Sequence, residues 1–216
     1  KQVVLFVPPT LRDQLRREYL AIAEHFHVPS LVDGSWKRLI EGRPVVHVIP
    51  YSIFSRPEST ALLENYAPDL VLADEVHLLK SRDAARTARI LRYWKSRPDT
   101  RLCCGSGTLI AKSLKDALHI FALALGEGSP LPLDPAVGEE WALAVDPGGQ
   151  PTPPGELERF GTPVRAGIRR RIVETAGVVA TQGAAVDIDL VIEEQPAPEI
   201  PPAIAEALIS VRNMVR

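Results

Sequence analysis

Four short, nearly all-apolar runs decide most of what this chain can become: Val3 to Val7, Val45 to Ile49, Leu70 to Ala73 and Leu102 to Cys104. A strand that is apolar along its length has no face to give to water, so it belongs in a sheet covered on both sides. Helical patterns separate the runs. Leu11, Leu15, Tyr19, Ile22 and Phe26 recur at intervals of three and four after the stop at Pro8-Pro9, with Thr10 placed to cap that helix. A second helix is expected from Asp83 to Lys95, and Leu114, Leu118, Phe121 and Leu125 form an apolar stripe for a third. Strands alternating with helices predict an α/β fold with a mostly parallel sheet and helices on both faces. In such folds the loops at the carboxyl ends of the strands carry ligands.

Beyond residue 125 the pattern changes. "GEGSPLPLDP" and "DPGGQPTPPGE" make Gly126 to Pro163 rich in Pro and Gly, which predicts a loop or linker ordered only where Trp141 docks. Residues 164–216 read as a following subdomain, with a basic helix from Ile168 to Glu174, a strand from Val186 to Ile192 and a helix from Ala203 to Val215. Lys1-Gln2 runs at once into the first strand, which reads as a cut inside a larger protein. No run is long enough to span a membrane and no targeting peptide is visible. The formal charge of −2 carries no overall nucleic-acid signature, so any such surface must be local. The two cysteines, Cys103 and Cys104, are adjacent inside an apolar run, neither a disulfide framework nor a metal spacing. They read as core residues of an intracellular protein in a reducing compartment.

The third run ends in two adjacent carboxylates: "LVLADEVHLLKS", residues 70–81. A strand delivering Asp74 and Glu75 side by side suits nucleoside-triphosphate hydrolysis. Asp74 would hold Mg²⁺ through water, and Glu75 would orient and deprotonate the attacking water. Successive strand residues point to different sides, so each acid addresses its own partner. The plainer alternative is a solvated strand end bearing two surface acids.

Four segments in order turn this into a resemblance. "VLFVPPTLRDQLRREY" resembles the strand, proline turn and helix that follow the phosphate loop in superfamily-two helicases, and within them the Snf-type DNA translocases. "VVHVIPYSIF" is similar to the strand ending in Thr-Tyr, with Pro50 for the threonine and Tyr51 kept. "DLVLADEVHLLKS" resembles the Asp-Glu-x-His box and its following basic residue, here Lys80. In "LCCGSGTLIAKSLKDALHIF", Ser106, Gly107 and Thr108 match the Thr-Gly-Thr stretch, Leu109 replaces its proline, Lys112 replaces an asparagine, and Ser113-Leu114 are kept. The resemblance covers residues 1–125 and implies the first RecA-like motor domain of an ATP-dependent helicase or translocase. It also implies ATP and Mg²⁺ as cofactors and DNA, duplex and read without regard to sequence, as partner. On that reading His77, Ser106, Gly107 and Thr108 couple the nucleotide to the track. Thr10, Tyr51, Lys80 and Lys112 would touch its phosphates.

The departures matter. No Gly-x-x-x-x-Gly-Lys-Ser/Thr loop is present in these 216 residues. The nearest imitation, "SGTLIAKS", has side chains where both glycines are needed to wrap a phosphate. The expectation is therefore half of an ATPase site, its phosphate loop upstream and its arginine finger elsewhere. Tyr51 could equally be a core residue, His77 could be satisfied by a backbone carbonyl, and the arginines of "RAGIRRRI" could be a solvated helix face. Two other functions stay open: a non-catalytic interaction module derived from such a motor, and a small-molecule enzyme using Glu75 and His77 for acid–base work.

Overall fold

The structure is a computed structural model, and it describes residues 2–181 apart from 35, 111, 147, 149–154 and 162. A six-stranded sheet holds it together. Strand β1 (Val3–Val7) leads through a 3-10 turn into α1 (Arg12–Ala23), and β2 (Ser30–Asp33) and β3 (Trp36–Arg38) form a hairpin. Then follow β4 (Val45–Pro50), α2 (Leu62–Tyr66), β5 (Leu70–Ala73), α3 (Ala85–Ser96) and β6 (Arg101–Cys104). The order across the sheet is β3-β2-β4-β1-β5-β6, and every pairing except the β2–β3 hairpin is parallel. This is the expected α/β architecture, consistent with a RecA-like sheet.

Alternation along β1 explains the two-sided cover. Val4 and Phe6 face a core with Tyr51, Val71, Ile90 and Tyr93, whereas Val7 packs on the other face with Tyr19, Val46 and Val48. The α1 stripe is only half used. Tyr19 is buried and Leu15 partly so, but Ile22 and Phe26 remain 48% and 69% exposed. Thr10 does not cap α1. Leu11 holds that position without a side-chain bond, because the chain enters through the 3-10 turn Pro9–Leu11 that already contains Thr10.

The hairpin was not foreseen, although its Asp33-Gly34 pair is a turn signal and Gly34 has φ +55°. Asp33 is 1% exposed, and its carboxylate meets Arg16 at 2.8 Å and Arg12 at 3.3 Å, tying the hairpin to α1. The fourth apolar run also differs from expectation. Among the described residues β6 is an edge strand, so Cys103 is exposed and only Cys104 reaches toward the core.

The Pro/Gly-rich stretch holds more structure than a linker. After α4 (Lys115–Leu125) comes α5 (Pro135–Val145), started by Asp134, whose side chain accepts from the Ala136 amide, with Pro135 in the first turn. Residues 155–160 make a 3-10 segment, and α6 (Val164–Glu174) begins earlier than the basic pattern suggests. Leu114, Phe121, Trp141, Leu157 and Ile168 bury one another in a second apolar cluster. Residues 1–179 form one compact unit. The strand expected at 186–192 and the helix at 203–215 lie outside the described residues.

Candidate functional site at the carboxyl edge of the sheet

Parallel pairing places the carboxyl ends of β4, β1, β5 and β6 along one edge, and the strand order reverses at β1. Tyr51, Thr10, Asp74-Glu75 and Ser106 to Thr108 all follow those ends. Ligands of open α/β sheets sit in such crevices.

Backbone hydrogen bonds continue past the last strand residues and fix the site. The Asp74 amide donates to the Phe6 carbonyl at 3.0 Å, and the Gly105 amide donates to that of Ala73 at 3.0 Å. Between them the chain turns at Glu75, whose φ and ψ of 49° are left-handed, a conformation costly for a residue with a β-carbon. The turn lets the Val76 amide donate back to the Gly105 carbonyl at 3.0 Å. Val76 and Leu79, 1% and 3% exposed, then pin the following 3-10 turn in the core. The loop after β6 is thus on the strand adjacent to β5.

Across that junction three side chains meet. His77 Nδ1 lies 2.9 Å from Glu75 Oε2 and 3.0 Å from Ser106 Oγ, and the Ser106 hydroxyl donates to the same Glu75 oxygen at 3.4 Å. The Thr108 amide closes the loop by donating to Ser106 Oγ at 3.3 Å. A serine–histidine–acid relay needs the two partners on opposite ring nitrogens. Here both fall on Nδ1, so the cluster is not built to activate Ser106 as a nucleophile. It holds one carboxylate oxygen and leaves Nε2 of His77 with no partner among the described residues. The alternative role, a histidine satisfied by a carbonyl, belongs instead to buried His119, whose Nε2 donates to the Leu79 oxygen at 2.7 Å. Burial holds the His119 pKa below its ordinary value.

Asp74 is exposed and its carboxylate takes no hydrogen bond or ion pair among the described residues. Its backbone carbonyl is occupied by the Tyr51 hydroxyl at 2.7 Å. Tyr51 is 0% exposed, so of its two readings the structure gives the core residue, not a surface for phosphates. Burial first, then the nearby Asp74, Cys104 and Glu75, push its pKa up. Thr10, Lys80 and Lys112 are exposed, and no contact with Glu75 or His77 joins them to the cluster. Gly107 is exposed within the Ser106–Thr108 loop.

The donors suit the group expected at such an edge. Mg²⁺ takes one or two carboxylates and keeps several waters, which a single open aspartate can serve. Among the described residues no three His, Cys, Asp or Glu side chains cluster to hold a metal by themselves. A cavity of about 1080 Å³ lies elsewhere, along the outer edge of β6 between α3 and α4. It runs beside β6, which has no outer neighbour strand among the described residues, and it shares no residue with the Glu75 cluster. No protein-family model matches the chain, and no curated protein matches it in sequence.

Proposed function

We propose that residues 1–125 belong to an ATP-dependent DNA translocase or helicase, as part of its first motor domain. The observation that supports this best is the pair of adjacent strand ends. An open Asp74 and a held Glu75 leave β5 together, and Glu75 is tied through His77 and Ser106 to the loop after β6. Asp74 would hold Mg²⁺ through water, and Glu75 would accept the proton of the attacking water. Bound Mg²⁺ would supply charge stabilisation at the phosphoryl oxygens. Ser106 and Thr108 would sense whether Glu75 is engaged and pass that to the DNA side, because each is one hydrogen bond from the next. The phosphate loop and arginine finger must come from other segments or partners.

The Glu75–His77 contact also suits a second reading, acid–base chemistry on a small molecule. One substitution in the full-length protein separates the two. Glu75→Gln keeps shape and hydrogen bonding but cannot take a proton, so DNA-stimulated ATP hydrolysis should fall by about a hundredfold or more while ATP still binds. Unchanged hydrolysis would remove Glu75 as the base and sink the motor reading.

A further inference from the structure

Away from the sheet edge, a cleft of about 410 Å³ opens between α6 and the turn after α4. Its walls include Ser129, Pro130, Arg159, Phe160, Arg170 and Arg171, and its single acid is Glu174. The cleft shares no residue with the Glu75 cluster. We propose that it binds a phosphate group, free or within a nucleic-acid backbone, through Arg159, Arg170 and Arg171.

All three arginines are exposed, but Arg159 and Arg171 are not dispersed as on a plain solvated helix face. Arg171 donates its Nε to the Pro130 carbonyl at 2.8 Å, which fixes the guanidinium and leaves its two terminal nitrogens for another acceptor. The guanidinium carbons of Arg159 and Arg171 lie 5.0 and 5.6 Å from the centroid of the Phe160 ring. One aromatic ring therefore gathers two positive charges, each attracted to its π-system but repelled by the other.

The ring itself is seated deliberately. Trp141 meets it edge-on at 5.3 Å, and Gly167 of α6 admits the Phe160 carbonyl so closely that a β-carbon there would lie 1.9 Å from the oxygen. Among the described residues no carboxylate comes within 4.0 Å of Arg159, Arg170 or Arg171, Glu174 included. Arg16 shows the contrast, since the fold gives it the buried carboxylate of Asp33.

A cleft with three guanidiniums and one acid favours an anion. A carboxylate has only two oxygens and is filled by one guanidinium fork, whereas a phosphate offers three or four oxygens and accepts several forks. Anchoring Arg171 and stacking Arg159 in advance lowers the entropy lost on binding. The volume falls within the range of small-ligand pockets.

The test uses the 216-residue chain and reads binding, not hydrolysis, so its outcome is independent of the motor reading. Inorganic pyrophosphate is titrated by calorimetry, and a labelled DNA duplex by fluorescence anisotropy at several salt concentrations. At least one should bind, and Arg159→Gln with Arg171→Gln should weaken it by about tenfold or more. Arg165→Gln, on α6 but outside the cleft wall, should change it by less than about twofold. Because Arg171 also holds Pro130, Arg170→Gln serves as the second variant. It has no polar contact to lose among the described residues, so its melting temperature should match wild type while affinity falls about threefold or more. Pyrophosphate binding assigns the site to a free phosphate ligand. Duplex binding with a salt slope reduced in the variants assigns it to a nucleic-acid backbone. Binding of neither probe, or binding unchanged in both variants, overturns the proposal.

Discussion

At the carboxyl edge of the sheet, Asp74, Glu75, His77 and Ser106 lie within a few residues of the ends of β5 and β6 and are set by backbone bonds between those strands. In the second apolar cluster, Trp141, Leu157 and Ile168 come from three separate segments divided by Pro- and Gly-rich chain. The first region is positioned by a ladder and the second by packing alone. A ladder announces itself in local sequence, as an apolar run followed by the residues it delivers. Packing among distant segments does not, because no single segment carries the pattern.

Helix α4 belongs to both regions. Ile120 lies in the sheet core, while Ala117, Phe121 and the cap residue Leu114 lie in the second cluster. If that sharing couples them, they unfold together. Trp141 is 3% exposed, hydrogen-bonds Glu156 through its indole N–H, and meets Phe160 edge-on. Trp141→Ala should therefore cost about 3–5 kcal/mol, the range for deleting a large buried aromatic. Urea unfolding followed by circular dichroism and by a probe near Glu75 should still give one coincident transition. Two separated transitions would break the comparison differently, by making the second cluster an autonomous layer.

The same contrast explains what could be read in advance. β1, β4 and β5 were legible because strands buried on both faces are apolar at nearly every position. The site followed, since Asp74 and Glu75 come directly after such a run. Helix α5 was hidden by composition. Mean Pro and Gly content argued for a loop, yet Asp134 and Pro135 are a cap and first-turn residue that together start a helix. The exposure of Cys103 was hidden for another reason. Whether a strand is central or at an edge depends on neighbours the strand itself does not encode. The same holds for Phe160, whose arginines stand on separate segments and meet only through the fold.

The half-buried Cys104 of β6 has a consequence on the alkaline side. Burial first, and then the neighbouring Cys103, push the Cys104 thiol up to about 11 from its ordinary value of 9.0. The folded chain thus keeps this proton longer than the unfolded chain does. The stability it contributes is full below about pH 9 and is lost as pH rises through about 11. Tyr51 is shifted in the same direction and extends the loss above the ordinary tyrosine value of 10.0. Cys104→Ala should lose less stability than wild type across that interval. The difference should be on the order of 1 kcal/mol once partial exposure is allowed for. Urea midpoints at pH 8, 9.5 and 11 measure it, and parallel curves for the two proteins would show that Cys104 titrates as an exposed thiol.

The smallest expected effect concerns Glu75 itself, and it asks whether the ladder holds this residue for the fold or for chemistry. The left-handed turn at φ 49° costs a residue with a β-carbon about 1–2 kcal/mol, a cost glycine escapes. Glycine in turn gives up roughly 0.5–1 kcal/mol through the greater freedom of the unfolded chain. The contacts of the Glu75 side chain to His77 and Ser106 are half-exposed, so their loss should cost only about 0–1 kcal/mol. These contributions nearly cancel. Glu75→Gly should therefore leave the unfolding free energy within about 1 kcal/mol of wild type. Glu75→Val keeps the β-carbon in the same turn and loses the same contacts, so, after glycine's own entropic cost, it should be the less stable of the two by about 1 kcal/mol. A glycine variant less stable than the valine one would mean that the turn is not strained in solution, and that the Glu75 side chain helps hold the ends of β5 and β6 together.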